Sequence, residues 1–158
     1  MNTPIPGSDF EHLIRHTTHC SRYVSRLLES DPALRPWLEQ HYTSPCTAEE
    51  AQHWLDAMPV HDEAALSCAL RELRKRVMLK LLLRDLGGLT DLSEVMRCMT
   101  SLAELTVQRA LAFATATLAE QHGLPVGAES GAIQELQVIG MGKLGGGELN
   151  ASSDIDLV

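Results

Sequence analysis

The stretch from Gln137 to Val158 constrains this chain more than any other, because its residues cannot continue the helical pattern before it. Val138 and Ile139 sit in a short β-branched apolar run of strand length. Gly145, Gly146 and Gly147 then remove three consecutive β-carbons. A backbone so stripped can take positive φ angles and bring its N–H groups close to an anion. Asp154-Ile155-Asp156-Leu157-Val158 alternates acid with apolar residue. In a strand, positions i and i+2 share a face. Asp154 and Asp156 are therefore expected side by side, with Ile155 and Leu157 directed into a core. The order read is strand, glycine-rich turn, strand.

Two adjacent carboxylates repel each other unless a cation lies between them. Mg²⁺ takes hard oxygen ligands, commonly one or two carboxylates together with substrate phosphates. The neighbouring glycines suit those phosphates. The parts together predict a site for a metal-bound nucleotide, with phosphoryl or nucleotidyl transfer as its chemistry. Two other phosphate-binding patterns fit less well. Gly140, Gly142 and Gly145 match the spacing of a dinucleotide fingerprint. That pattern needs a long helix directly after the glycines, and Asn150, Ser152, Ser153 and Asp154 interrupt one. A Walker A loop needs Ser or Thr after its lysine, and Lys143 is followed by Leu144. An Asp-x-Asp pair by itself also fits a solvated strand edge, which stays open at this point.

Upstream, the pattern is helical. Phe10, Leu13, Ile14, Thr17, Cys20, Val24, Leu27 and Leu28 mark one face of a helix to about Glu29, opened by Ser8 with Glu11 at capping-box spacing. Residues 1–7 read as a flexible start. His12, His16 and His19 lie on that helix beside Cys20, and read as a polar face because no second pair of ligands is visible. Asp31-Pro32 predicts a helix start, with a short helix carrying Leu34, Trp37 and Leu38. Thr47 with Glu50 opens another helix, through Trp54, Leu55 and Met58. From Asp62 a long helix runs to about Leu86, with Leu66, Leu70, Leu73, Val77 and Leu81 as its buried stripe, flanked by Ala69, Met78 and Leu82. Arg71, Arg74, Lys75, Arg76, Lys80 and Arg84 on the same helix account for nearly half of the chain's 13 Lys and Arg. They read as a solvated face, or as a surface turned to a nucleotide cleft or an acidic partner. Gly87-Gly88 ends this helix. Asp91 with Glu94 starts the next, whose stripe runs through Leu92, Val95, Met96, Met99, Leu102, Leu105, Ala110, Phe113, Ala114 and Leu118 to about His122, closed by Gly123. The short connection predicts antiparallel packing of the two long helices. Residues 124–133 read as a linker.

Composition bounds the function. Hydrophobic content of 44% and charged content of 22% are those of a soluble globular protein. With only 4% aromatic residues, the core must be built from Leu, Ala, Val and Met. A net charge of −8 excludes general nucleic-acid binding. No apolar run has the length of a membrane span, and Met1-Asn2-Thr3-Pro4-Ile5-Pro6-Gly7 lacks the basic and apolar regions of a secretion signal, so a cytoplasmic location is expected. Cys20, Cys46, Cys68 and Cys98 are widely spaced, with no Cys-x-x-Cys, and read as reduced thiols.

The run Gly140-Met141-Gly142-Lys143-Leu144-Gly145-Gly146-Gly147-Glu148-Leu149-Asn150, followed by Ser152-Ser153-Asp154-Ile155-Asp156-Leu157, resembles the signature of the bacterial glutamine synthetase adenylyltransferase/adenylyl-removing enzymes. These belong to the DNA polymerase β-like nucleotidyltransferase superfamily. The family carries two such domains, the amino-terminal one removing AMP from glutamine synthetase and the carboxy-terminal one adding it. Met141 and Ser152-Ser153 favour the amino-terminal copy, as does the position of the motif after a single helical segment. Residues 71–105, and more loosely 21–38, also resemble the family's helical region.

The resemblance implies an α+β fold, with an N-terminal helical region and linker over 1–131 and the start of a nucleotidyltransferase domain over 132–158. The chain stops inside what reads as a strand of the active-site sheet, so a fragment of a longer reading frame, inactive by itself, is expected. The superfamily's third acidic residue lies on a later strand. The implied cofactor is Mg²⁺, held by Asp154 and Asp156. Gly145 and Gly146 are implied to contact phosphate through backbone N–H groups, Ser153 through its hydroxyl and Lys143 through its charge. The implied partners are glutamine synthetase, a PII-type signalling protein, ATP or ADP, and phosphate. Phosphate is the expected nucleophile on the tyrosyl-AMP bond, giving ADP. The alternatives are a nucleotidyltransferase for another substrate and a non-catalytic helical regulatory module.

Overall fold

A computed structural model describes residues 10–158, so the readings at 1–7 and Ser8 lie outside the described residues. Among these residues, seven helices are followed by, and interleaved with, one two-stranded antiparallel sheet, an α+β arrangement. No described helix is long and apolar enough to cross a membrane.

The first predicted helix is two. α1 (Phe10–Cys20) and α2 (Arg22–Ser30) are separated at Ser21. Ser21 leaves the helix at φ −127° and ψ 108°, and its Oγ accepts the Val24 N–H at 3.3 Å. A serine side chain offers the backbone this alternative to helix. The break lets both apolar faces join one cluster, Phe10, Leu13, Ile14, Val24 and Leu27 with Leu79 and Leu83. Asp31 is also reassigned. Its N–H closes α2 on the Leu27 carbonyl at 3.0 Å, and α3 (Leu34–His41) begins only after a turn over residues 31–35. Pro36 falls in the first turn of α3, where a backbone N–H would have no helical partner.

Three N-caps stand where the spacing predicts them. Thr47 caps α4 (Ala48–Asp56), Asp62 caps α5 (Glu63–Leu86) and Asp91 caps α6 (Leu92–His122), each side chain accepting an N–H three residues on, at 3.2, 2.7 and 2.8 Å. α5 closes by donating Leu89 N–H to the Arg84 carbonyl at 2.7 Å and Gly88 N–H to Asp85 at 3.1 Å.

The single stripe predicted for α5 is incomplete, because the helix is buried on two sides. Leu73, Val77, Met78 and Leu81 pack with Trp54 and Leu55 of α4 and with Val95, Cys98, Met99 and Leu102 of α6. Leu79 and Leu83 pack into the α1–α3 cluster. α5 is thus the spine of the helical region. Conversely, α6 has no fully buried residue beyond Leu102, and Leu118 is exposed, although the apolar pattern runs on to it. With 31 residues against 24, α6 outruns its neighbour.

The basic residues of α5 divide. Arg71 and Arg74 are exposed, and Lys75 and Arg76 pair with Glu72. Lys80 and Arg84 contradict both expectations for this face: they are 0% and 4% exposed and turn inward onto the 42–46 loop. Lys80 Nζ donates to Glu50 Oε2 (2.5 Å), Ser44 Oγ (3.0 Å) and the Pro45 carbonyl (3.1 Å), and lies 5.6 Å from the Trp54 ring centroid. Arg84 makes a two-pronged pair with Glu94 at 2.9 and 3.1 Å and donates to the carbonyls of Tyr42, Thr43 and Leu89. The loop's carbonyls have no ladder partner, so long cationic side chains from the neighbouring helix supply the donors. Burial pushes the Glu94 carboxyl up. Hydrogen bonds from Arg84, Thr90 and the Cys46 N–H, with the charge of Arg84, outweigh it and hold Glu94 at about 2. All four cysteines are free thiols. Cys46 and Cys98 meet at 2.7 Å in the core, and this contact together with burial pushes the Cys98 thiol up.

The expected linker contains an antiparallel bridge, Val126 to Ile133, with Gly127 N–H on the Ala132 carbonyl at 2.9 Å. The last elements are β1 (Gly140–Met141), α7 (Gly142–Gly145) and β2 (Asp156–Leu157). Gly140 faces Leu157 and Met141 faces Asp156, while Ile139 and Val158 exchange hydrogen bonds at 2.8 and 3.0 Å. Ile155 and Leu157 do not enter a core as expected. They are 41% and 43% exposed, because among the described residues no second layer covers this pair of strands.

Candidate functional site

Two leucines fix the glycine-rich segment to the helices. Leu144 in α7 and Leu149 beyond it are buried in the same cluster as Val95, Cys98, Met99 and Leu102 of α6. Between them the chain makes a tight turn. Gly146 N–H donates to the Gly142 carbonyl (3.0 Å), Gly147 N–H to Leu144 (3.1 Å) and Glu148 N–H to Lys143 (2.8 Å). Gly147 has φ +69°, a conformation that L side chains rarely adopt. Gly145 answers a close approach, since a β-carbon there would stand 2.5 Å from the Gly140 carbonyl oxygen. The turn therefore spends its N–H groups on closing α7.

A second turn follows. Asn150 Oδ1 accepts the Ser152 N–H, the Ser152 hydroxyl and the Ser153 hydroxyl, each at 3.0 Å. Ser153 N–H returns to the Asn150 carbonyl at 3.1 Å. The chain then passes Asp154 and enters β2 at Asp156. Asp154 thus lies before the strand, not within it as the alternation predicts. Both aspartates nevertheless line one concavity of about 410 Å³, with Gly142, Lys143, Asn150, Ser152 and Ser153.

Of the residues singled out from sequence, the structure brings together Lys143, Ser153, Asp154 and Asp156. Gly145 instead lines a groove on the other side of α7, against Glu104, Gln108 and Leu111 of α6. Gly146 has its N–H engaged by Gly142 and is absent from the concavity's lining. Asn150 was legible only as a helix breaker. Its signal is the Asn-x-Ser-Ser pattern, in which an Asn side chain caps backbone two residues on.

The chemistry follows from what is left unpaired. Among the described residues, neither Asp154 nor Asp156 accepts a hydrogen bond or forms an ion pair, and Lys143 has no carboxylate partner. The two carboxylates are hard oxygen donors, while the Asn150 amide oxygen and the two serine hydroxyls are engaged with one another. The described residues contain no group of three His, Cys, Asp or Glu side chains placed to hold a metal, the α1 histidines included. A cation at this concavity would have two protein carboxylates, with the rest of its coordination left to substrate oxygens and water, as Mg²⁺ accepts.

Residues 11–158 match the family model described as glutamate-ammonia ligase adenylyltransferase. The chain is similar to the bifunctional glutamine synthetase adenylyltransferase/adenylyl-removing enzymes of Nitrosomonas eutropha and Nitrosomonas europaea, at 45% and 46% identity over the whole chain. The enzyme of that name from Chromobacterium violaceum is 47% identical over 92% of the chain. The chain spans 17% of the length of the two Nitrosomonas proteins and 16% of the third. No solved structure matches.

Proposed function

This chain belongs to the glutamate-ammonia ligase adenylyltransferase family, and we propose that residues 132–158 open a DNA polymerase β-like nucleotidyltransferase domain that removes AMP from glutamine synthetase. The observation that carries this reading is the concavity holding two unpaired carboxylates, Asp154 and Asp156, beside the Lys143 ammonium. Charges left without protein partners are set for a ligand that brings the opposite ones.

Asp154 and Asp156 are the residues to hold Mg²⁺, which when bound supplies positive charge against a transferring phosphate group. The chain's own groups do the rest. Lys143 offsets phosphate charge at the rim of the concavity. Gly142, with no side chain, leaves the floor open beside Asp156. The nucleophile is inorganic phosphate. One oxygen of hydrogen phosphate bonds to the phosphorus of tyrosyl-AMP, the bond from phosphorus to the tyrosine oxygen breaks, and the phosphate proton ends on that oxygen, giving ADP and the unmodified tyrosine side chain of glutamine synthetase. Phosphate is already anionic at neutral pH, so it needs less general-base help than a tyrosine hydroxyl would. The lining of the concavity, which contains no histidine, suits that requirement. A cytoplasmic site of action and a PII-type regulator belong to the same proposal.

The test uses protein expressed from the full-length gene, wild type and Asp154→Asn/Asp156→Asn. Each is incubated with adenylylated glutamine synthetase, phosphate and Mg²⁺, and ADP release is followed. Phosphate- and metal-dependent ADP from wild type alone is the expected result. Equal release from both removes the aspartates from the mechanism. Release from neither turns the reading to ATP-dependent adenylylation or another substrate.

A further inference from the structure

We propose that Asn150 is a positioning residue that sets the Asp154 carboxylate, and that Ser153 serves as its hydrogen-bond partner, not as a phosphate ligand. The inference rests on the metal-site reading above and deepens it.

The hydrogen bonds around Ser153 decide its role. Its hydroxyl has one proton, donated to Asn150 Oδ1 at 3.0 Å, and its oxygen accepts the Asn150 N–H at 3.3 Å. Phosphate oxygens need donors, and Ser153 has none left to give. The Ser152 hydroxyl is spent on the same Oδ1 at 3.0 Å. Ser153, the phosphate contact expected from sequence, and its neighbour Ser152 are therefore tied to one amide oxygen.

The reason to tie them lies on either side. Leu149, directly before Asn150, is 2% exposed and fixed in the helical core. Asp154, directly after Ser153, has no hydrogen bond of its own among the described residues. The Asn150 turn is the element that carries the fixed position of Leu149 across to the carboxylate. Without it, the backbone from Ala151 to Ile155 must be ordered when the cation binds, and metal affinity falls by that ordering entropy. An amide suits the task better than a carboxylate, since it accepts three hydrogen bonds without placing a third negative charge beside Asp154 and Asp156.

The experiment titrates Mn²⁺ without nucleotide into protein expressed from the full-length gene, counting the binding that Asp154→Asn/Asp156→Asn removes by the free-ion electron paramagnetic resonance signal, with unfolding temperature measured in parallel. The variants are Asn150→Ala, Asn150→Asp, Ser153→Ala and Asp154→Asn/Asp156→Asn. Asn150→Ala and Ser153→Ala are expected to weaken Mn²⁺ binding about tenfold at an unchanged unfolding temperature, as groups that orient metal ligands do. Asn150→Asp, which keeps the acceptor oxygen and adds a negative charge beside the site, is expected to bind Mn²⁺ at least as tightly as wild type. Wild-type affinity in Asn150→Ala, while the double aspartate variant loses binding, overturns the positioning role and leaves the metal site standing. A loss in Asn150→Ala that Asn150→Asp does not reverse also overturns it. Ser153→Ala with wild-type Mn²⁺ affinity but weakened binding of inorganic phosphate returns Ser153 to the phosphate. Failure of wild type to bind Mn²⁺, or binding that ignores the aspartates, removes the metal-site reading and this inference with it.

Discussion

Lys80 and Arg84 in the helical region, and Asp154 and Asp156 at the concavity, are opposite treatments of charge within one chain. The two cations are buried, and their donors are met by Glu50, Glu94, a serine hydroxyl and four loop carbonyls. The two carboxylates are exposed and have no protein partner among the described residues. A charge that the fold has satisfied holds the fold. A charge that the fold leaves bare adds nothing to the fold and stays open to solvent or a ligand. Sequence pattern alone ranks these pairs poorly, because both are simply like charges at helical or strand spacing.

The comparison breaks first at Arg84. Arg84→Met leaves Glu94 and three carbonyls without their donor, and should cost about 3–5 kcal/mol of stability by urea unfolding. A loss below about 1 kcal/mol would put this pair among ordinary surface ion pairs. Glu94 sharpens the same point through pH. Folding holds its pKa down from 4.5 to about 2, so the ionised carboxylate contributes to stability. Because the folded value is the lower one, that stability is present above the unfolded pKa and is lost as pH falls from about 5 toward about 2. Unfolding free energies across this range should show the acid limb in wild type and a flatter one in Glu94→Gln.

In the glycine-rich segment and at the concavity the effects on stability are smaller. Gly145→Ala drives a methyl group against the Gly140 carbonyl, 2.5 Å away, and should cost about 1–3 kcal/mol by thermal unfolding. Asp154→Asn and Asp156→Asn sit at the far end of the scale. Each should change stability by no more than about 0.5 kcal/mol, as for exposed side chains without partners, while phosphate-dependent ADP release disappears. A marked destabilisation by either substitution would erase the contrast, since these carboxylates would then be structural after all.

Much of the helical region was legible because its signals are local. Thr47, Asp62 and Asp91 cap helices by contacts three residues long, and the pattern of α5 and α6 gives their lengths. What was not legible depends on tertiary partners. Ser21 breaks a periodic helix because two short faces reach Leu79 and Leu83 better than one straight one. Lys80 and Arg84 read as surface residues until the 42–46 loop is seen to need their donors. At the concavity, the residue types of Lys143, Ser153, Asp154 and Asp156 singled them out, and the structure brings the four together. Asn150 was not singled out, since its role is to hold other residues and its bonds appear only once the chain has turned.

The burial of Leu144 and Leu149 has a mechanical consequence. The carboxylate-bearing segment leaves the helical core one residue before Asn150, so its position is referred to the first turns of α6. Past Leu102 that helix carries no fully buried residue through His122. Its first three turns seat the carboxylate-bearing segment, while the remainder touches the rest of the chain through half-buried contacts such as the Arg109–Asp56 ion pair.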